Sequence, residues 1–446
     1  MKKELTKRQK AIKKRRIFLS LCALFLAAVT ALTVFLVSTV IKAINGGDED
    51  RDKNNSSSQI TSSEESKEPK IISSATVINT GDILIHNPIL AGAQKGDGSY
   101  DFSGLYTETK KYFDKADLAV ANLEITLGGT ESGSYKGYPA FNIPDSVIDA
   151  VKSEGIDMLL TANNHSYDTG LFGFKRTVQV LKEKKIAYTG TRETATEPRF
   201  LVKNVNGIKI GMINYTYENA NAPAGRKSLN GNIIAQEAND LINSFNYDNI
   251  DAFYTDAENM ISDMRKKGAE CIVFYMHWGE EYKLKENTWQ KAIAQRLCNL
   301  GVDVIVGGHP HVIEPIDLLY AEGGEHTTVC LYSMGNSISN QRLLELSNLS
   351  PNGHTEDGLL FSYTFDKYSD GEVCLSAVDI VPCWVSKTGS RYNAKYKLHP
   401  LEDENAYKKA GLTEATAASS YLRTKEIVAE GLTECQQYLG CEIRFK

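Results

Sequence analysis

From Ala75 onward, short apolar runs alternate with longer amphipathic stretches. The runs read as strands over Ala75–Thr80, Asp117–Ala121, Ile156–Leu160, Cys271–Met276, Val302–Val306 and Val329–Met334. The spacing between them predicts helices over Ser103–Lys115, Ser146–Glu154, Leu171–Lys184, Ala257–Lys267 and Asn287–Leu300. Ser103 and Asp145 sit where N-caps belong, and Gly155, Gly268 and Gly301 where helices stop. Arg199–Lys203 and Ile208–Tyr215 flank Val205-Asn206-Gly207, a hairpin signal. Leu359–Phe365 and Val373–Val381 pair antiparallel across Asp370-Gly371, and Thr413–Leu439 is mostly helical. Alternating strands and helices with added hairpins predict a mixed α/β fold with large sheets.

The front of the chain breaks this pattern. The 25 residues Ile17 to Ile41 carry no charge, enough to cross a hydrocarbon core of about 30 Å with some tilt. Before them stand Lys2, Lys3, Lys7, Arg8, Lys10, Lys13, Lys14, Arg15 and Arg16 against Glu4 alone. The positive-inside rule then predicts a cytoplasmic tail (residues 1–16), one transmembrane anchor (17–41) and everything else outside, in a bacterium whose surface lies beyond a single membrane. A cleaved signal peptide is the competing reading, but its apolar core runs only about 7–15 residues and ends in a small-residue site. Residues 42–70 are too polar to bury a core and read as a disordered tether. The remainder divides into an α/β domain (71–385) and a largely helical extension (386–446).

The formal net charge of −6 averages a basic front and a more acidic remainder. Because the basic cluster abuts a membrane span, it is not a nucleic-acid footprint. Seven cysteines follow the anchor, with no CxxC, which excludes a disulfide framework and a thiolate zinc site. Cys271 and Cys330 fall in strand runs as buried thiols; Cys374 with Cys383, or Cys435 with Cys441, could pair.

The chemistry lies at the strand ends. Gly81-Asp82-Ile83-Leu84-Ile85-His86, Asn122-Leu123-Glu124, Asn163-Asn164-His165-Ser166-Tyr167-Asp168, His277-Trp278-Gly279-Glu280-Glu281 and Gly308-His309-Pro310-His311 hold five of the eight histidines. In α/β folds ligands bind beyond the carboxyl ends of the strands, so five distant motifs can meet there. Carboxylate, amide and imidazole donors are the inventory of a divalent-metal hydrolytic site for Mn, Fe or Zn. Glu280 and Glu281 read more as a supporting or surface pair than as direct participants, Trp278 and Tyr282 as packing or a substrate wall, and His326, His354 and His399 as surface residues.

These motifs, with Tyr332-Ser333-Met334-Gly335-Asn336, resemble the CapA family of capsule-synthesis proteins associated with poly-γ-glutamate, over about Ala75 to Phe365. That family is similar in fold to calcineurin-like metallophosphoesterases, which implies a sandwich of two mixed β-sheets flanked by helices. The resemblance implies two divalent ions. Asp82 and His311 would serve the first, Asn164, His277 and His309 the second, and Glu124 would bridge them. His165 would not ligate but would protonate the leaving oxygen. His86, Asp168, Glu281 and Asn336 are further candidates. The chain departs from the phosphoesterase pattern in two places: His86 follows Asp82 by four residues instead of two, and Glu124 replaces an Asp.

The implied function is a part in making a capsular polymer such as poly-γ-glutamate, by attack on a phosphate ester or an amide-like bond. The expected partners are the membrane, the anionic polymer and membrane-bound synthase subunits, with no nucleic acid. The alternatives are a non-catalytic polymer-binding subunit of a membrane synthase and a general surface metallophosphoesterase.

Overall fold

A computed structural model describes residues 69–220, 222–346, 354–390 and 393–445. The expected tail, anchor and nearly all of the tether lie outside the described residues. Among the described residues no helix is long and apolar enough to cross a membrane.

The chain enters one sheet, leaves it for a second, and returns. Strands β1 (Ile71–Ile83), β2 (Leu118–Leu123), β3 (Met158–Leu160) and β4 (Ala187–Thr189) run parallel as neighbours. Strands β5 (Leu201–Val205), β6 (Ile208–Tyr217), β9 (Ser244–Phe245), β10 (Cys271–His277), β11 (Val304–Gly308), β12 (Ile316–Tyr320) and β13 (Thr327–Leu331) form the second sheet; β7 (Ser228–Leu229) and β8 (Asn232–Ile233) make a small ribbon. The chain then rejoins the first sheet with β14 (Asn336–Ile338), β15 (Asp357–Tyr368), β16 (Val373–Thr388) and β17 (Lys395–Pro400). The orders are β17-β16-β15-β1-β2-β3-β4, with β14 also on β1, and β12-β13-β11-β10-β6-β5, with β9 on β6. Both sheets mix parallel and antiparallel pairs, as expected.

Period-two alternation explains the layering. In β10, Cys271, Val273 and Tyr275 face a core shared with Ala75, Val77, Leu118, Val120, Phe361 and Tyr363 of the first sheet. Ile272, Phe274 and Met276 face the opposite side, where helices Ile250–Lys266 and Thr288–Asn299 contribute Phe253, Ile261, Ile293 and Leu297. Ile78, Ala119, Ala121 and Leu159 of the first sheet face away from its partner, toward Val147, Val151 and Leu181 of helices Ser146–Ser153 and Gly170–Glu183. The hairpin turn forms at Asn206-Gly207, with φ of 49° and 82°, and Asn287 with Gln290 makes a capping box.

Several local expectations are corrected. Ser103 caps nothing: Gly104 takes φ +94°, the Glu154 carboxylate accepts from Gly104 N–H and Tyr106 N–H, and helix spans only Lys110–Phe113. Asp145 precedes its helix but spends its carboxylate on Arg176, at 2.7 and 2.9 Å. None of the seven described cysteines is joined in a disulfide. Cys374 and Cys383 lie nine residues apart on one extended strand, about 30 Å at 3.3 Å per residue, and cannot meet. Cys435 lies on the buried face of the C-terminal helix while Cys441 lies beyond its Gly440 cap. His399 is buried rather than surface, its Nε2 2.9 Å from Ser386 Oγ on the neighbouring strand. Residue 385 lies inside β16, and β17 extends the same sheet, so the long helix begins only at Ala415.

Candidate metal centre

Each motif sits where a parallel strand runs out. Asp82 lies near the end of β1, Glu124 directly after β2, Asn164 and His165 after β3, His277 at the end of β10, and His309 and His311 after β11. The two sheets bring these ends together. Two close approaches require glycine. A Cβ on Gly81 would stand 1.9 Å from Gly335 O, and one on Gly308 would stand 2.8 Å from Asp82 Oδ1. His309 and His311 take φ of +96° and +58° around Pro310. Non-glycine residues in that region carry strain, and here it turns two imidazoles in sequence toward one place.

The six expected donors meet. Glu124 Oε1 lies 3.5 Å from His277 Nε2 and 3.8 Å from His311 Nε2. Asp82 Oδ2 lies 3.4 Å from His311 Nδ1 and accepts from His309 N–H at 3.1 Å. Asn164 Oδ1 lies 2.9 Å from His277 Nε2. Among the described residues, Glu124, His309 and His311 form one group whose donor atoms all lie within 4.8 Å of one another; Asp82, Glu124 and His277 form another. Glu124 is common to both.

The donor chemistry fits a cation. Both Glu124 oxygens and the Nδ1 atoms of His309 and His311 are buried without hydrogen-bond partners. A buried carboxylate with no partner costs several kcal/mol unless a positive charge compensates it. Burial, and then the charge of Asp82, push the Glu124 carboxyl well above the usual carboxylate range. Burial, and then the neighbouring imidazoles, hold His277 and His309 well below the usual histidine range, so both are neutral donors at pH 7. These buried His, Glu and Asp groups could hold a metal ion.

His165 stands beside this cluster and belongs to neither group. Its Nδ1 lies 2.7 Å from Asp168 Oδ2, which also accepts from Phe141 N–H at 2.7 Å. Asp168 Oδ1 accepts from Asn230 Nδ2 at 3.1 Å. The Asp168 carboxylate accepts from Nδ1–H, which fixes the ring's orientation and leaves Nε2 as the atom that can gain or give a proton.

The other candidates lie around the centre. His86 caps the helix Asn87–Ala93; its Nδ1 lies 3.2 Å from Leu84 O, its ring packs against Phe141, and burial pulls it down to about 4. Asn336 pairs in register with Asp82 and donates to His311 O and Thr355 O, steadying the His309–His311 turn. Glu281 is exposed and reaches Glu124 only through its charge. Trp278 is core, donating to Tyr332 O at 3.0 Å. Three neighbours carry no expectation from sequence. Asn122 donates to Asp82 Oδ1 at 2.8 Å; it adjoins Glu124 in its motif, a signal that was available. The Tyr217 ring lies 4.8 Å from that of His309, and Asn230 arrives from the β7–β8 ribbon; neither has a local signature.

Comparison with known proteins places the chain in a family. A family model described as bacterial capsule synthesis protein PGA_cap matches residues 76–341, more than half of the chain. The chain belongs to this family, that of CapA. It is 28% identical over 270 residues to capsule biosynthesis protein CapA of Bacillus anthracis, covering 60% of each chain. It is 27% identical over 235 residues to PGA biosynthesis protein CapA of Bacillus subtilis (strain 168), covering 52% of this chain and 53% of that one. The match thus spans only a little over half the length of each relative. A shorter match, 24% over 133 residues, joins it to uncharacterized protein y4sH of Sinorhizobium fredii.

Proposed function

We propose that this CapA-family chain is a membrane-anchored extracellular protein with a divalent-metal hydrolase site, acting in the making, release or anchoring of a capsular polymer such as poly-γ-glutamate. The observation that carries the reading is Glu124: fully buried, with both oxygens unpartnered, and shared by two donor groups. By the family resemblance Asp82, His311 and Glu124 would hold one ion and Asn164, His277, His309 and Glu124 a second, drawn from Mn, Fe or Zn; the close donor groups sort the histidines otherwise, His309 with His311 and His277 with Asp82. A bound divalent ion supplies Lewis acidity and makes a water acidic enough to serve as a nucleophile near neutral pH.

The protein's own residues do the rest. Asp82 is fixed by Asn122 and by His309 N–H, so its carboxylate is oriented before any ligand arrives. Asp168 orients the His165 ring through Nδ1, so Nε2 is the atom through which His165 would pass a proton to a leaving oxygen or nitrogen. Tyr217 and Tyr282 wall the site against the His309 and His311 rings. The membrane location rests on the apolar run 17–41 behind a basic tail. The capsule role rests on the names of the two Bacillus relatives.

A strain deleted for this gene should lose surface polymer. Wild-type chain should restore it from the membrane fraction, while Asp82→Ala and His165→Ala should not. Full restoration by both variants would defeat the hydrolytic reading; unchanged polymer in the deletion would defeat the capsule role.

A further inference from the structure

A second cavity, of about 570 Å³, opens beside the end of β6 and is lined in part by Arg192, Arg199, Lys227, Glu218, Asp240 and Asp256. Two pieces of chain join it to the metal centre. Tyr217, against His309, is followed by Glu218 in the cavity wall, and Lys227 is three residues from Asn230, which holds Asp168.

Arg192 is the anomaly. It is 4% exposed, yet its Nε has no hydrogen-bond partner, its NH1 donates only to Asn243 Oδ1 at 2.9 Å, and no carboxylate pairs with it among the described residues. The other cations are matched. Arg199 pairs with Asp256 at 2.6 and 2.7 Å, and Asp256 also accepts from Tyr215 Oη. Lys227 donates to Ser244 Oγ at 2.8 Å and lies 3.7 Å from Glu218, which accepts from the same hydroxyl at 2.7 Å. Asp240 stands exposed at the rim and acts on Arg192 only through space. A guanidinium offers five donors in a planar fork; burying it with one of them used leaves the fork for an oxyanion.

We propose that this cavity is a carboxylate subsite, in which Arg192, assisted by Lys227, holds one carboxylate of the anionic chain whose neighbouring unit reaches the metal centre. The inference rests on the polymer reading above. Three cations face three acids here, so the cavity is formally neutral, which suits a singly charged carboxylate better than a phosphate dianion. Burial, and then Arg199, pull Arg192 down to about 10, so this unpaired cation is under-compensated until an anion enters, while Lys227 beside it keeps Glu218.

Calorimetry on the full-length chain with tri-γ-glutamate, its fully amidated analogue and inorganic phosphate tests this. Wild type should bind the acid peptide and not the amide, with phosphate a weak competitor. Arg192→Gln should weaken acid-peptide binding at least about tenfold, the scale of one charge-assisted pair, while metal content stays unchanged. Arg192→Lys should recover part of the loss. If Arg192→Gln does not fold, Lys227→Gln carries the test and should weaken binding about threefold. Equal binding by wild type and the variant that folds overturns the subsite and leaves the polymer reading standing, as does equal affinity for the amide or stronger binding of phosphate. A wild-type chain that binds neither peptide overturns both.

Discussion

Two buried polar clusters lie side by side at the strand ends and use their hydrogen-bonding capacity in opposite ways. Around Glu124, carboxylate oxygens and imidazole nitrogens face one another with acceptors left empty. Around Asp168, both oxygens are taken, by His165, Phe141 N–H and Asn230. The first arrangement is costly until a cation enters; the second is complete in the folded chain alone. The difference separates two tasks. One cluster is built to bind, and the other to hold a single ring in place.

Substitutions that remove charge without changing shape should pull the two apart. Glu124→Gln should weaken divalent-ion binding by 10²-fold or more, about 3 kcal/mol or above, while stabilising the ion-free chain by roughly 1–3 kcal/mol because a buried unpaired carboxyl is gone. Ion titration and thermal unfolding in chelator read the two effects. Asp168→Asn should leave ion affinity within about twofold but lower turnover of a generic phosphodiester with Mn²⁺ by roughly 10–100-fold, since His165 loses its orienting partner. Equal damage to binding would erase the distinction between the clusters.

Glu314 sharpens the comparison from outside it. It is buried, its Oε2 accepts from Gln290 at 2.7 Å, its Oε1 has no partner, and burial raises it to about 8. The folded chain therefore holds this proton more tightly than the unfolded one. Its effect is to erode stability as pH rises from about 4.5 to 8, and below that window it costs nothing. Glu314→Gln should remove that decline, gaining roughly 1–2 kcal/mol at pH 8.5 and little at pH 4.5, read by denaturant unfolding at the two values.

The strand-end donors were legible because parallel strands write continuous apolar runs, and each donor follows its run within a few residues. Glu124 and His277 needed nothing more. His86 was harder: β1 ends at Ile83, and the turn into the next helix carries its ring against Phe141, outside both donor groups. Asn230 was invisible, because its part depends on the β7–β8 ribbon folding back over Asp168, a contact 62 residues away in sequence. The buried state of His399 and the lone guanidinium of Arg192 likewise depend on which strands and loops become neighbours, which local pattern does not encode. Caps failed where a long-range partner outbid the local one, as Arg176 does for Asp145.

The most direct test is the metal content of the full-length chain after loading with Mn²⁺, Fe²⁺ or Zn²⁺ and dialysis, measured by elemental analysis beside Glu124→Gln. The account predicts stoichiometric metal, approaching two ions per chain, in wild type and a loss of it in the variant. A wild-type chain that retains no ion above background would contradict it.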